Sequence, residues 1–349
     1  MRFFYLRSLA VLIFVVGFVF DSNAQANQFI RYLQAGSPDA GILSRAYLNP
    51  VIEGLSYGAN GGWVHTARTH QRLGFDISLS ATGVFLPSSA QSFRPADLDL
   101  ENTLLLSPSG IAPTIIGSDV ETTFLSSFET PQGTQLIEYA GAEGLDFSDR
   151  WLVQGVAMPM FQAGVGIGKS TDLKLRFIPT LQMGSVTRAG LVGIGFMHDI
   201  KQHIPAWKIK TFDLSLLAGY TRISGEIDAS SVGFTRPDAD LRQQEMPFKV
   251  HAFLLQALIS KKLGTVTFHG GVGYNVTRST ADVLGSYVIF GTTEDDEVVV
   301  TDPFSLSFKN NSMQANAGVR LDIGGFYLHG EYSLQEYSAV TLGLGYTHH

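Results

Sequence analysis

Apolar and polar residues alternate with a period of two over most of the chain, most cleanly between Asn311 and Tyr346. Met313, Ala315, Ala317, Val319, Leu321 and Ile323 share one face, and Gln314, Asn316, Arg320 and Asp322 share the other. After Gly324-Gly325 a second arm sets Phe326, Leu328, Tyr332 and Leu334 against Tyr327, His329, Glu331 and Ser333. A third arm turns Val340, Leu342, Leu344 and Tyr346 outward. Arms of about 10 residues with a continuous apolar face fit strands that meet lipid on one side and water on the other.

The same alternation predicts further arms upstream. YGANGGWVHTA and LGFDISLSATGVF flank a turn at Arg68 to Arg72, and WLVQGVAMPMFQAGVGIG turns at Lys169-Ser170 into LKLRFIPTLQM. GLVGIGFMHDI and FDLSLLAGYTR follow, and VHAFLLQALIS turns near Gly264 into VTFHGGVGYNVT. Eleven spanning strands can be counted, and a closed barrel of the bacterial type needs an even number. The expectation is therefore an all-β transmembrane antiparallel β-barrel of about 12 strands (12 to 14) over residues 56–349. Long outer loops are expected near 86–149, 225–247 and 279–310, with the short turns and the carboxyl end in the periplasm. Facing then sends the cations Lys174, Arg176, Arg320 and His269 and the acids Asp213, Asp322 and Glu331 into the lumen. The arm from Trp151 to Val165 is apolar on both faces, as expected if its inner side touches something apolar.

Ahead of the strands the period changes. Ser37-Pro38 is a helix start, and Ile42, Leu43, Tyr47, Val51 and Leu55 recur at helical spacing, with Asn49-Pro50 opening a second short turn. Residues 27–55 are read as a helical plug for the lumen, a periplasmic linker helix being the alternative. Earlier still, Arg2 and Arg7, an apolar run from Leu9 to Phe20 and the small residues to Ala26 match a secretory signal peptide over residues 1–26, cleaved after Ala24 or Ala26. Export without a membrane helix, combined with alternating strands, points to the cell outer membrane.

Composition agrees with that reading. The 37 Gly, 24 Phe and 12 Tyr with only 16% charged residues suit turns and aromatic girdles, and the mean hydropathy of +0.13 is too low for bundled membrane helices. The absence of cysteine excludes disulfides, thiolate metal sites and thiol nucleophiles. A net charge of -7 offers no basic stripe for nucleic acid.

Candidate chemistry is sparse. AGVGIGKS, residues 163–170, has a loose phosphate-loop pattern, but an alternating strand follows where a helix would have to start. Glu294 to Glu297 could gather calcium, yet the run lacks the spacing of a calcium loop and reads as a solvated hairpin tip. His65 and His70 with Asp76 suggest a hydrolase only if a nucleophile is nearby, and no serine has such a context. No enzyme activity, cofactor or metal is expected.

Several longer strings carry a family resemblance: AYLNPVIEGLSYGANGGWVHTA, SFRPADLDL, APTIIG, HDIKQHIPAWK and SLQEYSAVTLGLGY. Together they resemble an uncharacterised family of Bacteroidota outer-membrane barrels, broadly similar to the fatty-acid transporter (FadL-like) and PorV-like type with an amino-terminal plug. The resemblance implies a plugged channel for passive uptake of small hydrophobic molecules and transfers no functional residue. A structural or assembly component that binds other envelope proteins is the second reading, and an outer-membrane hydrolase the third. Expected partners are the outer-membrane bilayer, a small hydrophobic solute and envelope proteins. The chain ends in His348-His349 where outer-membrane barrels usually place an aromatic residue, and Tyr346 is the nearest substitute.

Overall fold

The computed structural model describes residues 29–36, 38–130, 133–146, 155–183, 187–208, 210–228, 244–289 and 298–348. The signal-peptide segment and the acidic run at 294–297 lie outside them. Among the described residues ten antiparallel strands close a barrel. In chain order they are β1 (Phe75–Phe85), β7 (Gly155–Gly168), β8 (Thr171–Met183), β9 (Thr187–Asp199), β10 (Asp213–Asp228), β11 (Glu245–Leu263), β12 (Val266–Val283), β15 (Phe304–Ile323), β16 (Phe326–Leu334) and β17 (Ala339–His348). Each pairs with its neighbours in the barrel, and β1 closes the circle between β7 and β17.

The count of 12 is corrected to ten. Ten of the eleven arms read from the alternation are barrel strands, whereas YGANGGWVHTA is the end of a helix followed by irregular chain. Its apolar residues are buried, but against the barrel interior rather than in its wall. Parity is restored by removing an arm.

The wall changes character along its height. On the lower part of β15, Met313, Val319, Leu321 and Ile323 are exposed outward while Gln314, Asn316 and Arg320 are buried inward. On the upper part Ser305, Ser307 and Lys309 face out and Leu306 and Phe308 are buried. β12 shows the same switch, from outward Phe268, Val272 and Tyr274 to outward Arg278 and Thr280 over buried Ala281 and Val283. The lower band is about 25 Å tall once strand tilt is allowed for, the height of a lipid-facing belt. Above it the barrel has the polarity of a soluble one. This explains why β12 and β15 run on to Val283 and back to Phe304, inside the stretch expected to be loop: an alternation tuned to lipid stops at the belt, while the strands do not.

A cap covers the upper end. Between β1 and β7 lie β2 (Ser92–Phe93) paired with β4 (Ala112–Pro113), and a sheet of β3 (Thr103–Leu105), β5 (Thr123–Thr130) and β6 (Gly133–Ala140). A hairpin of β13 (Ser286–Ile289) and β14 (Val298–Thr301) stands between β12 and β15. The short turns at Lys169-Ser170, Gly264 and Gly324-Gly325 all lie at the opposite end. The GIGKS segment is such a turn, with positive φ at Lys169 and Ser170 and strand on either side, so no helix amide is aimed at a phosphate.

The helix α1 (Asp39–Asn60) starts in the cap, passes Pro50 without breaking and descends into the lumen. Its start is tied down by the Asp39 carboxylate, which accepts from the backbone N–H groups of Glu101 and Asn102 at 2.9 Å each. Lower down, Gly54 lies against Val156 and Leu86, and Gly58 against Met158 and Val84. The described part of the doubly apolar arm, from Gly155 on, therefore faces the helix. Residues 61–74 then run as irregular chain to the short-turn end, where Leu73 N–H donates to Gly166 O at 2.8 Å before β1 begins.

An occupied lumen alters one expectation from the facing pattern, that an inward Ser215→Arg would be mild beside an outward Leu216→Arg. The Ser215 hydroxyl is fully buried and donates to Ala67 O at 2.6 Å. Leu216→Arg is expected to cost about 2 to 4 kcal/mol on the lipid face, and Ser215→Arg at least as much, because arginine has no room there. Urea titration of the folded barrel in vesicles compares the two; a Ser215→Arg barrel of wild-type stability would mean that residues 61–74 do not fill the lumen.

Candidate functional site

Two regions inside the barrel gather polar chemistry: a seal at the short-turn end and a vestibule under the cap. The seal begins with Trp63. Its indole lies over Gly195 of β9 and Gly219 of β10, which pair in register, and a Cβ on either would come within 2.7 or 2.8 Å of the ring. On its other face the Arg176 guanidinium stacks 3.6 Å from the ring centroid. The same guanidinium donates to Ala59 O at 3.1 Å, Gly61 O at 2.7 Å and Gln162 Oε1 at 2.9 Å. Ala59 and Gly61 carry carbonyls at the carboxyl end of α1, which lack intrahelical donors and hold the negative end of the helix dipole. Arg176 is thus a buried cap contributed by the barrel wall.

Below Trp63 runs a chain of charges. His70 Nδ1 is 2.9 Å from Asp172 Oδ2, and its Nε2 is 3.6 Å from Asp76 Oδ1. Asp76 Oδ2 lies 3.3 Å from His65 Nε2, and Arg320 donates to His65 Nδ1 at 2.8 Å. Since arginine only donates, His65 Nδ1 accepts, and the proton sits on Nε2, facing Asp76. Arg320 also donates to Asp322 at 2.7 Å, and Lys262 reaches Asp322 at 2.6 Å on the rim. The Tyr327 hydroxyl donates to Asp76 Oδ2 at 3.2 Å. The side chains of His65, His70, Asp76 and Asp172 are at most 5% exposed, which shuts the group off from solvent. Among the described residues no cluster of three or more His, Asp or Glu could hold a metal ion.

The structure places the seven sequence-derived lumen residues as follows. Lys174, Arg176, His269, Arg320 and Glu331 are buried inside the barrel. Asp213 and Asp322 are partly buried at the short-turn rim, Asp213 3.8 Å from Lys201. His269 and Glu331 meet at 3.2 Å, and Glu331 also accepts from Asn316, which in turn accepts from Gln256. Asn60 of α1 joins the polar side through Asn275 at 3.0 Å.

The five plug residues are dispersed. Leu43 and Tyr47 are buried above the belt with Phe124, Leu306 and Phe308, Val51 packs near Tyr57 and Leu86, and Leu55 lies against Met158 and Met160. Ile42 lines the vestibule. The part of the chain that fills the lower lumen is instead 57–74, of which the alternation reads 57–67 as strand and 68–72 as a turn. The signal for it was the Gly61-Gly62-Trp63 run, whose single large ring between glycines suits a fitted slot better than a lipid belt. HDIKQHIPAWK forms two short 3-10 turns at the short-turn end, with Trp207 exposed beside Phe212.

The vestibule has a volume of about 950 Å³. One wall is the face of α1 bearing Arg45, Asn49 and Glu53; Phe93, Phe308 and Tyr337 form the other walls, and Asp97, Asp99 and Glu336 the rim. Two tyrosine–carboxylate pairs cross between helix and wall. Tyr57 donates to Glu336 Oε2 at 2.7 Å, and the Tyr337 phenol faces the Glu53 carboxylate, with the two rings 5.4 Å apart. Burial and the Glu53 carboxylate push the Tyr337 phenol well above its ordinary range, so at neutral pH it keeps its proton. Adjacent Glu336 and Tyr337 on one turn thus match Glu53 and Tyr57, one helical turn apart on α1. Neither pair is legible in the sequence.

Among solved structures, the chain is similar to Ail, the attachment invasion locus protein of Yersinia pestis, at 8% identity and a TM-score of 0.27, covering 80% of this chain and 100% of that one. It is similar to the translocator domain of the autotransporter NalP from Neisseria meningitidis at 10% identity and 0.27, covering 85% and 94%. Against a Pseudomonas aeruginosa FadL homologue the values are 8% and 0.24, covering 90% and 95%. Scores this low leave function to be read from the barrel's own residues. No curated protein matches the sequence. A family model, however, matches residues 2–348, and the chain belongs to that family, a Family of unknown function (DUF6588).

Proposed function

We propose that the chain is an outer-membrane β-barrel that binds a ligand in its vestibule on the cell's outer side while its lumen stays closed to passive flow. The observation that carries this reading is the contrast between the two ends. Residues 61–74 fill the lower lumen and are held by buried bonds to β1, β8, β10, β11, β15 and β16, whereas the upper end opens into a cavity. The outer membrane is supported by the closed wall with its apolar belt, since only closed barrels satisfy every backbone group when strands cross lipid. Short turns inside and long loops outside give the orientation.

A plugged channel for hydrophobic solutes, of the fatty-acid-transporter type the sequence resembles, would need that segment to withdraw. The buried charges make withdrawal costly. A reading as a component that binds envelope proteins is favoured by one observation: Leu104, Leu106 and Leu136 stand exposed on one face of the β3–β5–β6 sheet of the cap. No catalytic step is assigned.

The chain has no cysteine, so Asn49→Cys gives a clean probe. In intact cells a membrane-impermeant maleimide should label position 49, and the wild-type barrel should carry no steady current in planar bilayers. Steady conductance or liposome uptake of small solutes would establish the channel instead. A folded Asn49→Cys barrel that takes up no maleimide would remove the vestibule reading.

A further inference from the structure

The geometry points to a small amphipathic organic cation, an ammonium group on an aromatic or apolar body, as the ligand class of the vestibule. This rests on the vestibule being a binding site and goes on to name what fits it. Charge is the first argument. Glu53, Asp97, Asp99 and Glu336 line the cavity against Arg45 and Lys309. Arg45 is already engaged, its guanidinium lying 5.8 Å from the centroid of the Phe308 ring.

The hydrogen-bonding inventory has the same sign. Tyr57 spends its one proton on Glu336 and the Tyr337 phenol faces Glu53, which leaves both carboxylates with further lone pairs and, among the described residues, no ion pair. Pro50 lines the cavity and has no N–H to give the Ala46 carbonyl one turn earlier, so that oxygen lacks its helical partner on the same wall. The two carboxylates and that carbonyl thus offer acceptors to the space from opposite walls. A ligand that brings donors and positive charge satisfies them, whereas an anion meets the carboxylates.

The apolar walls supply the rest. Phe308, Phe93 and Tyr337 line the cavity, and an aromatic face attracts a cation within about 6 Å of its centre. Arg45 over Phe308 shows that this wall accepts a cation. The hydrocarbon part of the ligand would cover the same rings.

Three probes with one ring and different charge test this on the full folded barrel in detergent: phenethylamine, 2-phenylethanol and 3-phenylpropionate, by isothermal titration. Phenethylamine should bind, with the alcohol weaker and the carboxylate weakest. Glu53→Gln/Glu336→Gln keeps acceptors for both tyrosines and should weaken the amine about tenfold or more, the loss of one to two charge-assisted contacts. Should that pair not fold, Asp97→Asn/Asp99→Asn on the exposed rim should weaken it in the same direction. Equal binding of alcohol and amine, or amine binding unchanged in a folded carboxylate variant, overturns the cation assignment. Binding of none of the three, with the Asn49→Cys barrel freely labelled, overturns it too and leaves the vestibule reading standing, while a folded Asn49→Cys barrel that resists labelling removes both.

Discussion

Arg176→Met is expected to lower the unfolding free energy of the barrel by about 3 to 5 kcal/mol. The side chain is 2% exposed and bonds two carbonyls at the end of α1 together with Gln162. Each buried acceptor left without a donor costs about 1 to 3 kcal/mol, and the stacking on Trp63 is worth about 2 kcal/mol when desolvated. Relief from burying a charge offsets part of this. Urea titration in vesicles measures the change, and heat-resistant mobility on gels reports whether the barrel closes. Arg176→Lys should recover little, because an ammonium cannot reach three acceptors in one plane and stack as well. A methionine variant within about 0.5 kcal/mol of wild type, by the surface-site scale, would show that the wall does not cap the helix.

The second large effect is expected at Asp76. It is fully buried among His65, His70 and Tyr327, and Lys174, 1% exposed, is the cation whose charge acts on it most strongly. Asp76→Ala should cost about 3 to 5 kcal/mol, the range for removing one partner of a buried charge pair. Much of that is the charge left behind, so adding Lys174→Met should restore more than half of the loss. A cycle with His65→Ala separates the hydrogen bond from the charge effect. If the double variant with Lys174→Met is as unstable as the sum of the singles, Lys174 and Asp76 do not answer one another.

Legibility in the sequence followed the physics of each part. Ten strands were readable because lipid on one side and a polar interior on the other impose a period of two on every wall segment, as on Met313 to Ile323. The upper halves of β12 and β15 were not, because there water replaces lipid outside and Leu306 and Phe308 turn inward, reversing the pattern. Residues 57–67 were misread since burial inside a barrel and exposure to lipid select the same apolar side chains; only contact with Gly195 and Gly219 distinguishes them. His65, His70 and Asp76 stood out as a group but their role did not, since catalysis and sealing differ in access rather than composition.

By itself, the sequence determined an all-β barrel with a lipid-facing belt, an amino-terminal helix ahead of it and the sidedness of its short turns and long loops. These are local properties, fixed by which side chain faces which solvent. Tertiary structure alone decided that the chain threads the lumen from cap to short turns, that Arg176 caps α1 from the wall, and that Glu53 and Tyr57 meet Tyr337 and Glu336 from the far end of the chain. Those contacts pair residues distant in sequence through side chains that point inward, where every polar group needs some partner and no periodicity names which one.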